Sequence, residues 1–214
     1  MSDEEIPPSI ATLFGEARSL LMAGTTLSEA YAILEHIRDS LNDTERTAEF
    51  FEDKGLPLRE AWVAVQFGLL MGYERICLAP KAQEGFDVTL FAGETSTTFD
   101  ITEARDYGYD REASYRCGPD TWLEDDEEMS RQEALFSKAV GNRLKKKKTS
   151  NLIVYVNTGW LPDDNIIESL TRGWHERFGE KFDSAFLLIG QGVIQISPQY
   201  TVIHHRRSEN QPRN

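Results

Sequence analysis

Residues 86–104 read FDVTLFAGETSTTFDITEA, and this stretch decides the fold. It contains two runs rich in β-branched and aromatic residues, Phe86–Ala92 and Thr97–Ala104. The residues between them, Gly93-Glu94-Thr95-Ser96, are typical of a tight turn. Two such runs around a short glycine-containing turn predict a β-hairpin.

Each strand of the predicted hairpin carries an aspartate. Asp87 lies near the start of the first strand, and Asp100 lies near the middle of the second. Because strand residues two apart share a face, Asp100 points the same way as Thr102. Pairing of the two strands brings the carboxylates of Asp87 and Asp100 within reach of one cation. Two carboxylates, a backbone carbonyl and water molecules suit Mg²⁺ or Mn²⁺, which polarises a phosphodiester and lowers the pKa of an attacking water.

The hairpin lies between helical segments and further strands. On its N-terminal side, apolar spacing predicts helices through residues 8–54, a capping box at Thr25–Glu29, a helix over Leu58–Met71 and a strand at Arg75–Leu78. On its C-terminal side, the pattern predicts a loop over 105–124, a helix over Asp125–Lys147, a buried strand at Leu152–Asn157, a helix from Pro162 to Phe178, and a hairpin of Ser184–Ile189 and Val193–Ile196.

This order predicts an α/β protein whose mixed central sheet is flanked by helices. We divide the chain into a helical N-terminal arm or small bundle at 1–55, a mixed-sheet domain at 56–205 and a polar tail at 206–214. Hydrophobic residues make up 40% of the 214 residues, which is enough to bury a core.

Composition excludes several classes of protein. No apolar run has the length of a membrane span, and the acidic start of the chain does not resemble a signal peptide, so we expect a cytoplasmic location without membrane attachment. The two cysteines make no disulfide framework. The sequence has no glycine-rich phosphate loop, no serine-centred elbow and no histidine–glutamate zinc motif, which argues against NTPase, kinase, Rossmann and α/β-hydrolase functions.

The charge is unevenly distributed along the chain. The net charge is −13, yet residues 138–214 carry 12 basic and 7 acidic side chains. The densest basic run lies at the predicted end of a helix and consists of Arg143, Lys145, Lys146, Lys147 and Lys148. These cations have two interpretations: they complement the helix dipole at a solvated helix end, or they contact nucleic-acid phosphates beside the hairpin.

Residues 58–157 resemble the PD-(D/E)XK, or restriction-endonuclease-like, nuclease superfamily. The resemblance rests on a leading helix, Asp87 on the first hairpin strand, the hydrophobic-acid-hydrophobic-Thr-Glu-Ala pattern of Phe99–Ala104, and a following helix and buried strand. It implies a nuclease-like fold with Asp87 and Asp100 as metal ligands. It also implies a lysine two residues beyond the second acid that orients the nucleophilic water.

The chain departs from that pattern at two positions. Thr102 occupies the lysine position, and a threonine hydroxyl can hydrogen-bond a water but supplies no positive charge. Phe86 replaces the proline that usually precedes the first acid. Members of the superfamily tolerate a lysine that has moved to the neighbouring helix, and Lys138 is the candidate for this role. The catalytic set implied by the resemblance is therefore Asp87, Asp100, Thr102 and Lys138.

Three hypotheses for function follow. The first is a Mg²⁺- or Mn²⁺-dependent hydrolase, a nuclease that binds DNA or RNA and whose usual lysine is missing. The second is a non-catalytic module of the same fold that acts through contacts with a protein partner or a second copy of itself. The third is an α/β scaffold in which Asp87 and Asp100 are solvated surface acids. Glu60, in the leading helix, is either a third carboxylate of the site or a solvent-facing helix acid.

Overall fold

The computed structural model describes residues 10–41, 55–80, 85–104, 126–157, 163–190 and 192–204. Within these ranges, eight strands form one sheet in which the spatial order of the strands follows the chain order. The strands are β1 (Thr25–Thr26), β2 (Arg75–Leu78), β3 (Val88–Ala92), β4 (Thr95–Ala104), β5 (Asn151–Val156), β6 (Ser184–Ile189), β7 (Gly192–Ser197) and β8 (Thr201–His204).

The sheet is mixed, and helices cover both of its faces. The pairs β4–β5 and β5–β6 are parallel, and the other neighbouring pairs are antiparallel. The described helices are α1 (Ile10–Ala23), α2 (Leu27–Ser40), α3 (Leu56–Met71), α4 (Asp126–Lys146) and α5 (Asp164–Phe178). The predicted α/β class with a helix-flanked mixed sheet is confirmed.

Two hydrophobic clusters lie on the two faces of the sheet. One joins α1, α2 and α3 to side chains that include Phe99 and Ile153. The other joins α4 and α5 to side chains that include Leu152 and Val154. The first cluster contains residues from both sides of position 55, and β1 pairs with β2. The described N-terminal helices therefore belong to the core of the sheet domain.

The helix α3 packs on the sheet through contacts between aromatic rings. The Phe67 ring is fully buried, and its centroid lies 5.4 Å from that of Phe99 and 4.9 Å from that of Phe186. These contacts hold α3 across the middle of the sheet. Glu60 precedes Phe67 by seven residues, about two helical turns, so both lie on the same side of α3.

The central hairpin is tighter than its sequence predicts. Thr95 pairs with Ala92, so the turn has two residues, Gly93 and Glu94, and β4 starts two residues earlier than expected. Gly93 has φ = 58°, as the first central residue of a type II′ turn requires.

The short strands β1 and β8 were not predicted. Residues 42–54 of the predicted helical segment, the predicted loop 105–124 and the tail 206–214 lie outside the described residues.

The capping box before α2 forms as predicted. The Thr26 hydroxyl accepts a hydrogen bond of 3.2 Å from the Glu29 N–H, and the Thr26 N–H donates one of 3.1 Å to Glu29 Oε2. Thr26→Ala should lower the free energy of unfolding by about 1 kcal/mol, because it leaves a helix-terminal N–H without its side-chain acceptor. Urea denaturation checks this, with the exposed Ser28→Ala as the control. Equal stability of the two variants would contradict the assigned cap.

None of the helices within the described ranges is long and apolar enough to cross a membrane.

Candidate two-carboxylate site

The candidate site lies beside the N-terminal end of β3, at the point where β4 continues beyond its pairing with β3. Residues Thr95–Phe99 of β4 pair with β3, and residues Asp100–Ala104 pair with β5 on the other side. The first β4 N–H beyond the hairpin pairing, that of Ile101, donates a 2.7 Å hydrogen bond to Asp87 Oδ2. The Asp87 carboxylate therefore accepts the hydrogen bond that a backbone carbonyl of a neighbouring strand would otherwise accept at this edge of β4.

The structure brings Asp87 and Asp100 together. The register that pairs Val88 with Phe99 places Asp87 beside Asp100 across the hairpin. Burial raises the pKa of Asp87 to about 6; the hydrogen bond from Ile101 opposes this rise, and the charge of Asp100 and a side-chain hydrogen bond to Asp100 add to it. Two like charges placed across a strand pair destabilise the fold, and a bound cation would offset this cost.

A lysine also reaches the site. Lys147 Nζ lies 2.5 Å from Asp100 Oδ1, and the side chain of Asp100 is only 16% exposed. Lys147 is the first residue after α4, and its N–H donates to the Arg143 carbonyl at 3.1 Å. The predicted lysine, Lys138, is exposed on α4. The lysine that contacts Asp100 is therefore Lys147, a member of the basic run for which phosphate binding is one of two interpretations.

Glu60, for which the sequence left two interpretations open, lies close to the two aspartates. Burial raises its pKa to about 8, and the charges of Asp87 and Asp100 add to the rise while Lys147 and Arg59 oppose it. Of the two interpretations of Glu60, the solvent-facing helix acid is wrong, because the side chain is half-buried near the two aspartates. A signal was present: Glu60, Val63 and Phe67 follow the i, i+3, i+7 spacing of an inward helix face.

The residues present fit a magnesium-type ion with few protein ligands. Asp87 and Asp100 supply carboxylate oxygens, and the Ile101 carbonyl faces the open edge because the N–H and C=O of a strand residue point to the same side. Mg²⁺ often binds through one or two carboxylates and keeps several waters. In the described part of the chain, no three histidine, cysteine, aspartate or glutamate side chains are grouped as a metal site. The fit therefore depends on two carboxylates, not three.

A cavity of about 450 Å³ lies close to the site. Asp87, Asp100 and Lys147 do not line it, but Ile101 and the buried Thr102, which follow Asp100 in β4, do, and so does Glu60. The Glu103 carboxylate, also in its wall, accepts a hydrogen bond from the Asn157 amide. The complete lining of the cavity is Leu34, Arg38, Leu41, Leu56, Arg59, Glu60, Trp62, Val63, Ile101, Thr102, Glu103, Arg143, Tyr155 and Asn157.

The predicted basic run is divided by the structure. Arg143 lines the cavity, and Lys147 contacts Asp100. Lys145, Lys146 and Lys148 are exposed at the end of α4. A nucleic-acid-binding role for these five side chains stays a prediction.

Lys147→Met should raise the pKa of Asp87, because the lysine charge lowers that pKa. Carboxyl ¹³C chemical shifts measured against pH report this pKa directly. Lys138→Met is the matched control on the same helix, and it should leave the Asp87 titration in place. An unchanged Asp87 titration in Lys147→Met would contradict the assigned contact.

Comparison of the chain with models of protein families, with curated proteins and with solved structures gives no match.

Proposed function

We propose that the protein is a Mg²⁺- or Mn²⁺-dependent phosphodiesterase that cleaves nucleic acid. One observation carries this proposal: two aspartates and a lysine lie together at an open strand edge, beside a cavity. The resemblance of residues 58–157 to the PD-(D/E)XK nucleases supports the same chemistry. The expected cytoplasmic location stays part of the proposal.

Each side chain has a role in this proposal. Asp87 and Asp100 would hold the cation, which would lower the pKa of a bound water and stabilise charge on the phosphate. Lys147, whose ammonium group contacts Asp100, would turn from that carboxylate to the phosphate and orient the attacking water. The Thr102 hydroxyl donates or accepts a hydrogen bond to that water. The half-buried setting strengthens each of these electrostatic contacts relative to the solvated surface.

A non-catalytic role is the second candidate, and the contact between Lys147 and Asp100 favours it. This ion pair already neutralises one of the two carboxylates without a metal. In that case the acids and the lysine fix the end of α4 against the hairpin. The protein then acts through contacts with a partner or with a second copy of itself.

Cleavage assays distinguish the two candidates. The purified chain should cut at least one of single-stranded DNA, duplex DNA and RNA in the presence of Mg²⁺ or Mn²⁺, and EDTA should stop the reaction. Absence of cleavage on all three substrates, together with absence of Mn²⁺ binding in calorimetry, would refute the enzyme and favour the non-catalytic module.

A further inference from the structure

The cavity beside the carboxylates has dimensions suited to a nucleotide. Its volume of about 450 Å³ lies within the range of roughly 300–1,000 Å³ typical of ligand pockets. Its wall is formed by residues of α2, α3, α4, β4 and β5, and Ile101 and Thr102 of that wall directly follow Asp100 in the chain. A phosphate held at the aspartates would therefore have its attached nucleoside near this cavity.

Aromatic and apolar side chains form part of its wall. Trp62 of α3 and Tyr155 of β5 both line the cavity, together with Leu34 and Val63. The Trp62 ring is itself stacked on Tyr31, with centroids 5.9 Å apart and an interplanar angle of 29°. This stacking limits the rotation of the indole and preserves an aromatic surface. Aromatic surfaces of this kind stack on any base without reading its sequence.

Three arginines line the same cavity, although the chain as a whole is acidic. Arg38 comes from α2, Arg59 from α3 and Arg143 from α4, so cationic side chains reach it from three helices. The Arg38 guanidinium also pairs with Glu35 at 2.6 Å and with Asp39 at 3.0 Å, so a phosphate would share it with these two acids. Arginine pairs with phosphate through two parallel hydrogen bonds and also stacks on bases. Of the two acids in the wall, Glu103 is bonded to Asn157, and Glu60 belongs to the acidic site. The wall thus combines base-stacking and phosphate-binding groups.

We propose that this cavity binds one unstacked nucleobase with its phosphate, so that the substrate is single-stranded nucleic acid. The inference rests on the proposed nuclease function and names its substrate class. A base inside a duplex reaches such a cavity only after it is unpaired and unstacked, which costs a few kcal/mol. A base in a single strand has no pairing partner, so its entry into the cavity requires only the unstacking part of this free energy. The same chemistry is present in a free nucleoside monophosphate, which is the other source of such a ligand.

Fluorescence anisotropy with a labelled 12-residue oligonucleotide in EDTA measures binding without cleavage. The wild-type chain should bind the single strand at least tenfold more tightly than the duplex of the same sequence. Trp62→Leu should weaken single-strand binding by about 5- to 100-fold, in line with the loss of one stacked base. Trp62→Phe should restore most of the affinity, and Leu69→Ala, an exposed position on the same helix, should bind as the wild type does.

Arg38→Gln provides a second test that does not depend on a core substitution, because Arg38 is exposed at the rim of the cavity. It should reduce affinity severalfold and reduce the salt dependence of binding, whereas the exposed Arg177→Gln should not. Displacement of the oligonucleotide by a nucleoside monophosphate at similar concentration supports the same cavity chemistry and assigns it to free nucleotides.

Two results would overturn the inference: equal affinity for duplex and single strand, or wild-type affinity in both Arg38→Gln and a folded Trp62→Leu. Thermal melting establishes whether Trp62→Leu is folded. If that variant does not fold, the affinity of Arg38→Gln alone tests the inference. Failure of the nuclease assignment is distinguishable. Single-strand binding without cleavage would refute the nuclease function and leave the base-binding role of the cavity standing. Metal-dependent cleavage without these losses of affinity would refute only the base-binding role of the cavity.

Discussion

Replacing Asp100 with asparagine should reduce cation-dependent cleavage by at least about 1,000-fold, a loss of about 4 kcal/mol of transition-state stabilisation. Asparagine has the same shape as aspartate, so the packing at the hairpin is kept. The substitution removes the negative charge that pairs with Lys147 and that would bind the cation in the proposed site. Single-turnover rates in saturating Mg²⁺ measure the effect on chemistry. Asp87→Asn should cause a comparable loss, because both carboxylates would bind the same ion in the proposed site.

The matched control for both variants is Asp183→Asn. Asp183 is exposed just before β6, and its described contact is a hydrogen bond of its backbone N–H to Ser150. This variant should cleave at the wild-type rate. A rate above one tenth of wild type in either Asp87→Asn or Asp100→Asn would contradict the assignment of that aspartate as a ligand.

The second large effect is a pH-dependent loss of stability that Glu60 causes. The folded state raises the pKa of Glu60 from an ordinary value of 4.5 to about 8. The folded state therefore holds a proton that the unfolded state has lost, and the free energy of unfolding falls as the pH rises from about 4.5 to about 8. Asp87, whose pKa is raised to about 6, adds a smaller loss between pH 4 and 6.

Glu60→Gln should remove most of this pH dependence, because glutamine has no proton to lose. Between pH 5.5 and pH 9, the stability of the variant relative to wild type should increase by about 2 kcal/mol, a value that allows for partial solvation of the carboxyl group. Urea denaturation at the two pH values measures the difference, with the exposed Glu94→Gln as the control. Parallel stability profiles for wild type and Glu60→Gln would contradict a buried, proton-retaining Glu60.

The hairpin and the shared face of its acids could be predicted from local sequence alone. Alternating side chains on both sides of Gly93 specify the strands, and a tight turn fixes their register. The four-residue turn expected from the sequence would pair Ala92 with Thr97, and therefore Asp87 with Thr102. The two-residue turn shifts the register by two residues, so Asp87 stays on the same face of the sheet but lies beside Asp100.

The other members of the site depend on long-range packing. Lys138 and Lys147 are both lysines near or on α4, and only the position of that helix against the sheet decides that Lys147 contacts Asp100. Glu60 reaches the site because Phe67 packs on Phe99 and Phe186, two residues far away in sequence. The cavity likewise needs α2, α3, α4, β4 and β5 together. Periodicity within one segment cannot supply such information.

Calorimetric titration of the full chain with Mn²⁺ tests the central claim most directly. The two-carboxylate site predicts one ion bound per chain, displacement of Mn²⁺ by Mg²⁺, and affinity at least tenfold weaker in both Asp87→Asn and Asp100→Asn, while Asp183→Asn binds as the wild type does. Absence of binding, or binding that both aspartate variants leave unchanged, would contradict the claim that these two carboxylates form a cation site.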